Sequence, residues 1–232
     1  MTALEERINA AREVIAAAAR EVGREPSEIT LEAATKTQTA ETVRAAIAAG
    51  ITVCGENRVQ ELTRKLDAFA YDGAAEVHFI GHLQTNKVRQ VVGRVDLIES
   101  VDSIRLLEAV SDYACRLERT QDILLEVNIG REESKGGFSP DEVFFGAERA
   151  LELPGVRLRG IMCIPPAAQD VGANRKFFAE TRQIYVDIIT KMVDNKSDVN
   201  CLSMGMSRDF ADAVREGATL VRVGTGIFGP RG

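Results

Sequence analysis

The stretch NCLSMGMSRDFADAVREGATLVRVGTGIFGPRG, residues 200–232, decides the fold class. Asn200 to Gly205 is a short β-like run, SRDFADAVREG has the spacing of an amphipathic helix, and Thr219 to Gly224 is a second β-like run. Strand, helix and strand in so short a length make the repeating unit of parallel α/β architecture. The same unit recurs upstream, with strand-like runs at Leu31 to Lys36, Thr52 to Asn57, Glu76 to Gly81, Val95 to Ser100, Asp122 to Ile129 and Arg157 to Ile164. Helical patterns such as AETVRAAIAAG, SIRLLEAVSDYACRLE, SPDEVFFGAERALEL and NRKFFAETRQIYVDIITKMV lie between them. Eight such strands in 232 residues predict a closed (β/α)8 TIM barrel, a fold of about 250 residues, rather than an open doubly wound sheet. Only IFGPRG follows the last strand, too little for an outer helix. Thr2 to Val22, however, places Leu4, Ile8, Ala11, Ile15, Ala18 and Val22 at helical spacing behind a Thr2/Glu5 capping box. This extra N-terminal helix is expected to fill the gap, within a single domain spanning residues 1–232.

Composition narrows the class of function. A hydrophobic fraction of 45% and a charged fraction of 28% are those of a folded globular protein and exclude intrinsic disorder. Lys and Arg number 29 against 35 Asp and Glu, a net charge of −6, which argues against a nucleic-acid partner. No apolar run approaches the ~20 residues of a membrane-spanning helix, and the opening MTALEERINAAREV is charged rather than signal-like. No membrane partner is expected, and the expected location is the cytoplasm. Cys54, Cys115, Cys163 and Cys201 form no CxxC pair, so they suggest neither a zinc site nor a disulfide framework and fit a reducing compartment.

In a barrel of this kind the chemistry lies at the C-terminal ends of the strands. Lys36 ends the first strand: its ammonium either points into water or is a desolvated amine suited to Schiff-base chemistry. The loops after the seventh and eighth strands carry Ser203, Gly205 and Ser207, then Gly224, Thr225 and Gly226. Glycines admit an oxyanion close to the backbone, hydroxyls add donors, and this pair of loops frequently holds phosphate in barrels. A strand-end lysine opposite a phosphate cradle points to pyridoxal phosphate (PLP), or to an aldolase-like Schiff base with a phosphorylated substrate. Gly224 to Gly229 also spells GxGxxG, but a dinucleotide site needs a helix and a further strand after it. Arg222 stands in an apolar run, where it needs either a barrel carboxylate such as Glu32 or Glu126, or the pyridine nitrogen of a bound PLP. Asn57 either caps the next helix or touches a ligand. His78 and His82 bracket a strand instead of sharing a helix face, so no metal site is expected.

Several blocks in one order, ATKT around Lys36, GENRVQEL from Gly55, HFIGHLQTNK from His78, SVDS from Ser100, EVNIGREESKGGF from Glu126, LRGIMCIP from Leu158, LSMGMSRDF from Leu202 and VRVGTGIFGPR from Val221, run nearly end to end. In them the chain resembles the pyridoxal phosphate homeostasis proteins, relatives of the alanine racemase barrel. The resemblance implies a barrel carrying PLP on Lys36 as a Schiff base, with Asn57 beside the ring and Arg222 at the pyridine nitrogen. Ser203, Gly224 and Thr225 would then hold the phosphate, with Met204 and Ser207 nearby. It further implies a monomer that serves PLP homeostasis without established turnover, with apo-enzymes that need PLP as acceptors. Thr39 departs from the family, where proline often stands, which bears on the loop rather than on the lysine. The alternative, a PLP-dependent amino-acid racemase-like enzyme, calls for a second domain and a tyrosine opposite the lysine. Tyr71, Tyr113 and Tyr185 are all expected away from the strand ends.

Overall fold

A computed structural model describes residues 2–72, 76–167, 170, 172–192 and 199–229. Eight parallel strands close on themselves in chain order: β1 Thr30–Ala34, β2 Val53–Glu56, β3 Glu76–Phe79, β4 Leu97–Val101, β5 Gln121–Val127, β6 Val156–Cys163, β7 Cys201–Met206 and β8 Leu220–Val223. The ring closes through β1 and β8, where Glu32 is in register with Arg222. The expected strands are all present with ends displaced by at most two residues, so Lys36 and Asn57 stand just beyond β1 and β2 rather than at their last positions.

The helices cover the outside. α1 is Ala3–Glu21, α2 Ala40–Ala48, α3 Val59–Asp67, α4 Ile104–Arg116, α5 Glu142–Glu152, α6 Arg175–Met192, α7 Phe210–Arg215 and α8 Thr225–Phe228. A 3-10 turn, Thr85–Gln90, takes the helix's place between β3 and β4. α1 begins with the expected box, in which Glu5 N–H donates to Thr2 Oγ1 at 3.3 Å and Thr2 N–H to Glu5 Oε2 at 2.6 Å. It buries Ile8, Ala11, Ile15, Ala18 and Ala19 and packs against α7 and α8, the place expected for it. Arg7 Nε donates to the Ile227 carbonyl at 2.6 Å and Arg215 pairs with Glu21 at 2.6 Å, fixing both of its ends.

The main core lies between sheet and helices, as Val, Ile, Leu and Ala side chains alternate outward from the strands. The barrel interior is different. Leu97, Leu124 and Met162 form a small apolar cluster, and next to it stand the buried polar groups Glu32, His78, Glu99, Ser203 and Arg222. Among the described residues no helix is long and apolar enough to cross a membrane.

Candidate functional site

A cavity of about 810 Å³ opens at the C-terminal ends of the strands. Six of the eight residues singled out in the sequence line it: Lys36, Asn57, Ser207, Arg222, Gly224 and Thr225. A slightly larger cavity, about 890 Å³, lies at the opposite mouth and includes none of them. Its strand arginines are held by Asp122, Arg157 at 2.6 Å and Arg159 at 3.7 Å.

Ser203 and Met204 stand elsewhere. Met204 is fully buried in the core between sheet and helices. Ser203 is fully buried inside the barrel, where its hydroxyl donates to Glu99 Oε2 at 2.6 Å and accepts from Arg222 Nη1. Alternation would have put Ser203, Gly205 and Ser207 on one face, but the β7–β8 register shifts between Ser203 and Met206 and breaks the parity. Gly205 serves packing rather than a ligand: at φ 91° a Cβ would lie 2.5 Å from that of Ala213.

Ser207, unlike Ser203, lines the cavity. Its Oγ accepts the backbone N–H of Gly224 at 3.1 Å and of Gly226 at 3.3 Å. Two backbone donors thus converge on one oxygen, while the hydroxyl proton remains to be given to a ligand. With only four residues, α8 contributes little helix dipole here.

Arg222 is 4% exposed, and one edge of its guanidinium is fully engaged. Nη2 donates to the Cys163 carbonyl at 2.8 Å, Nη1 to Ser203, and Glu99 Oε2 lies 3.5 Å away. Its partner is thus a barrel carboxylate, as expected, though Glu99 rather than the examples Glu32 and Glu126. His78 Nδ1 donates to the other oxygen of Glu99 at 2.8 Å. Burial alone would raise Glu99, but the His78 hydrogen bond and charge and the Arg222 charge hold it low. Burial and the Glu99 charge push Glu32 the other way, well above the carboxylate range. His78 is lowered by burial, yet its contacts with Glu32, Glu76 and Glu99 outweigh this and raise it. Glu32, His78 and Glu99 offer ligand atoms within 4.8 Å of one another, a spacing that could suit a metal ion. The His78 nitrogen and both Glu99 oxygens are nevertheless engaged in the network, and only the Glu32 oxygens lack a hydrogen bond.

Asn57 does not cap α3, whose N-cap is Arg58. Its Oδ1 is buried without a hydrogen-bond partner at the cavity wall, which favours the ligand reading. The backbone of the second strand end is approached so closely by the third that a Cβ at Gly81 would lie 2.0 Å from the Asn57 carbonyl. Thr39 caps α2, accepting from Thr42 N–H at 3.2 Å, so the turn forms without the proline. Cys54 and Cys163 are buried thiols, raised by desolvation to about 12 and about 11.

Among the lining residues that sequence reasoning missed are His82, Lys135 and Asn174, and Glu126 in this capacity. His82 Nδ1 bonds Asp102 at 2.9 Å, and Asn174 Nδ2 donates to Asp209 at 2.7 Å while its Oδ1 is unpaired. Glu126 is raised chiefly by burial. The rule that strand ends carry the site would have found Glu126 and His82; Asn174 precedes a helix and has no such signal.

These groups fit PLP. The Ser207 and Thr225 hydroxyls suit a phosphate, the guanidinium suits a ring nitrogen acceptor, and the orphaned Asn57 oxygen needs a partner that water or a ligand must supply.

The family model for the alanine racemase N-terminal domain matches residues 10–232. The pyridoxal phosphate homeostasis protein of Aquifex aeolicus (strain VF5) is 40% identical over 226 residues, covering 97% of each chain. The structure of PipY from Synechococcus elongatus PCC7942, solved with PLP bound, is 32% identical with a TM-score of 0.83, covering 97% of this chain and all (100%) of that one. Alanine racemase of Clostridium difficile 630 shares the fold alone, at 14% identity and a TM-score of 0.71 over 98% of this chain and 56% of that one. By its likeness along almost its whole length, the chain belongs to the pyridoxal phosphate homeostasis proteins, within the group built on the alanine racemase N-terminal domain.

Proposed function

We propose that this chain binds PLP at the C-terminal mouth of its barrel and serves PLP homeostasis by holding and releasing it, as a single binding domain without rapid turnover. The convergence of Lys36, Asn57, Ser207, Arg222, Gly224 and Thr225 on one cavity carries the reading. Bound PLP supplies an aldehyde that condenses reversibly with primary amines and a pyridine ring that withdraws electrons. Lys36 presents the amine. The hydroxyls of Ser207 and Thr225 receive the phosphate beside Gly224, and Asn57 closes on the ring. Arg222 donates to the pyridine nitrogen and, carrying its own charge, disfavours a proton there, which weakens electron withdrawal. Glu99, Ser203 and the Cys163 carbonyl fix that guanidinium from behind.

Titrating the apo-protein with PLP, reducing with borohydride and mapping the label tests this. Label on Lys36, lost in Lys36→Ala, is the expected result; label unchanged in that variant would refute it. PLP released to apo-enzymes in the same cytoplasmic compartment is the corresponding physiological role, read as reactivation of an apo-enzyme by the loaded protein.

One observation favours the racemase-like alternative: His82, oriented by Asp102, puts an imidazole on the cavity wall in addition to Lys36. Against it, no tyrosine lines this cavity among the described residues. Tyr71 and Tyr185 spend their hydroxyls on Glu56 and the Val199 carbonyl, each at 3.1 Å. Exchange of the α-proton of amino acids in deuterated water at ordinary enzyme rates, on the order of 1 per second, would decide for the enzyme.

A further inference from the structure

The turn that carries Lys36 is held by groups that take no part in the phosphate cradle. Gln38 N–H donates to the Thr35 carbonyl at 3.0 Å, closing a turn over Thr35 to Gln38. Lys36 is its second residue, and the third, Thr37, has φ 68°. A positive φ at that place ordinarily takes glycine or asparagine, because a β-branched side chain crowds the backbone. Thr37 is nonetheless kept there. Its N–H donates to Glu61 Oε2 at 2.7 Å, and Glu61, in the first turn of α3, is only 14% exposed at its side chain.

The residue before Lys36 is tied as firmly. Thr35 N–H donates to the Gly55 carbonyl at 2.9 Å and its hydroxyl to Glu56 Oε1 at 2.5 Å. The Thr35 carbonyl accepts from Lys65 Nζ at 2.6 Å. Lys65 and Glu56 are themselves a buried ion pair, with the Tyr71 hydroxyl on the same Glu56 oxygen. With Thr35 immobile, the freedom left to the lysine's backbone lies at Thr37, and Glu61 removes it.

A non-glycine residue stays in the left-handed region only where its surroundings impose it, and such positions gather where a side chain must be aimed. We propose that Glu61 is a positioning residue: by holding Thr37 left-handed, it sets the direction in which Lys36 leaves β1 and so its approach to the PLP aldehyde. This rests on the assignment of Lys36 above. It also gives a role to the second half of GENRVQEL, of which the cavity takes only Asn57.

The test compares PLP with pyridoxamine phosphate, which offers the same phosphate and ring but no aldehyde for a lysine. Glu61→Ala should bind pyridoxamine phosphate within about twofold of the native protein, while PLP affinity falls about tenfold. Borohydride should then trap correspondingly less label on Lys36. Glu61→Gln, whose side-chain carbonyl still accepts from Thr37, restores both readouts. Thr37→Gly, to which this φ costs little, restores trapping in the Glu61→Ala background. Should Glu61→Ala fail to fold by thermal melting, Glu61→Asp, one methylene short of Thr37, carries the same expectation. Equal loss of both ligands would mark a merely structural role, and unchanged PLP affinity and trapping would show that Glu61 does not aim the lysine; either overturns the proposal. Native protein that takes no label on Lys36 would overturn the lysine assignment itself, and this inference with it.

Discussion

Replacing Ser203 by alanine separates two roles that the sequence left together. The Ser203 hydroxyl bridges Arg222 and Glu99 inside the barrel and does not reach the cavity. Ser203→Ala removes one bond to a carboxylate and one from a guanidinium, each contributing about 1.5–3 kcal/mol when a charged group is involved. The two charges already lie 3.5 Å apart, so closing that gap recovers part of the loss, and a net cost of about 2 kcal/mol is expected. For a chain of this size each kcal/mol lowers the melting temperature by about 2–4 °C, which predicts a fall of about 4–8 °C. Inorganic phosphate, measured by competition with PLP, should bind within about twofold of the native protein, since no phosphate donor is lost. Thermal melting of the apo-protein and that competition are the two assays. A Ser203→Ala protein that melts like the native one yet binds phosphate tenfold or more weakly would refute the reasoning and return Ser203 to the cradle.

Ser207→Ala should weaken phosphate by about tenfold or more, because one hydrogen bond to a charged acceptor is lost, and should lower melting less than Ser203→Ala, because the two bonds it removes from Gly224 and Gly226 are neutral and lie toward the surface; equal phosphate affinity would count against the cradle. Lys65→Met leaves the fully buried Glu56 without its cation and should cost about 3–5 kcal/mol by denaturant unfolding. Adding Glu56→Gln should recover most of it, and a double variant as unstable as the single would sink that account. Glu126 is raised by burial, so its contribution to stability is fully present below the unfolded value of about 4.3 and is lost as pH rises through the higher folded value. Glu126→Gln should therefore melt above the native protein at mildly alkaline pH and match it in acid; the opposite order would mean the carboxylate is stabilised in the cavity.

The barrel was legible because its evidence is repetitive: each buried strand announces itself as a short apolar run, and eight of them in 232 residues leave few architectures. Lys36, Asn57, Arg222, Gly224 and Thr225 were legible for the same reason, as polar or glycine residues at strand ends. The misplacements share another cause. Ser203 and Ser207 differ by four residues, an even number, so period-two reasoning puts them on one face, and only the register shift before Met206 separates them. Glu99 could not be matched to Arg222 because the pairing spans β4 and β8, and nothing local in LIESV marks which barrel carboxylate faces the guanidinium. Asn174 acquires its place by preceding α6, a packing outcome rather than a pattern.

The network behind Arg222 also bears on why a barrel of this kind would hold PLP without driving chemistry on it. A guanidinium that must donate to a ring nitrogen has to keep both its charge and its orientation. Inside the barrel it would otherwise be a buried cation, costly to retain. Glu99 offsets the charge at 3.5 Å, and the Cys163 carbonyl at 2.8 Å fixes the plane. His78 holds Glu99 ionised from the far side. A guanidinium so pinned offers the ring nitrogen a hydrogen bond rather than a proton. The same rigidity makes Arg222 a good anchor and a poor proton donor. In the proposed arrangement, retention would depend on the phosphate cradle and on a reversible bond at Lys36, two holds of different chemistry beside neighbouring strands β8 and β1, either of which could loosen while the other kept its grip.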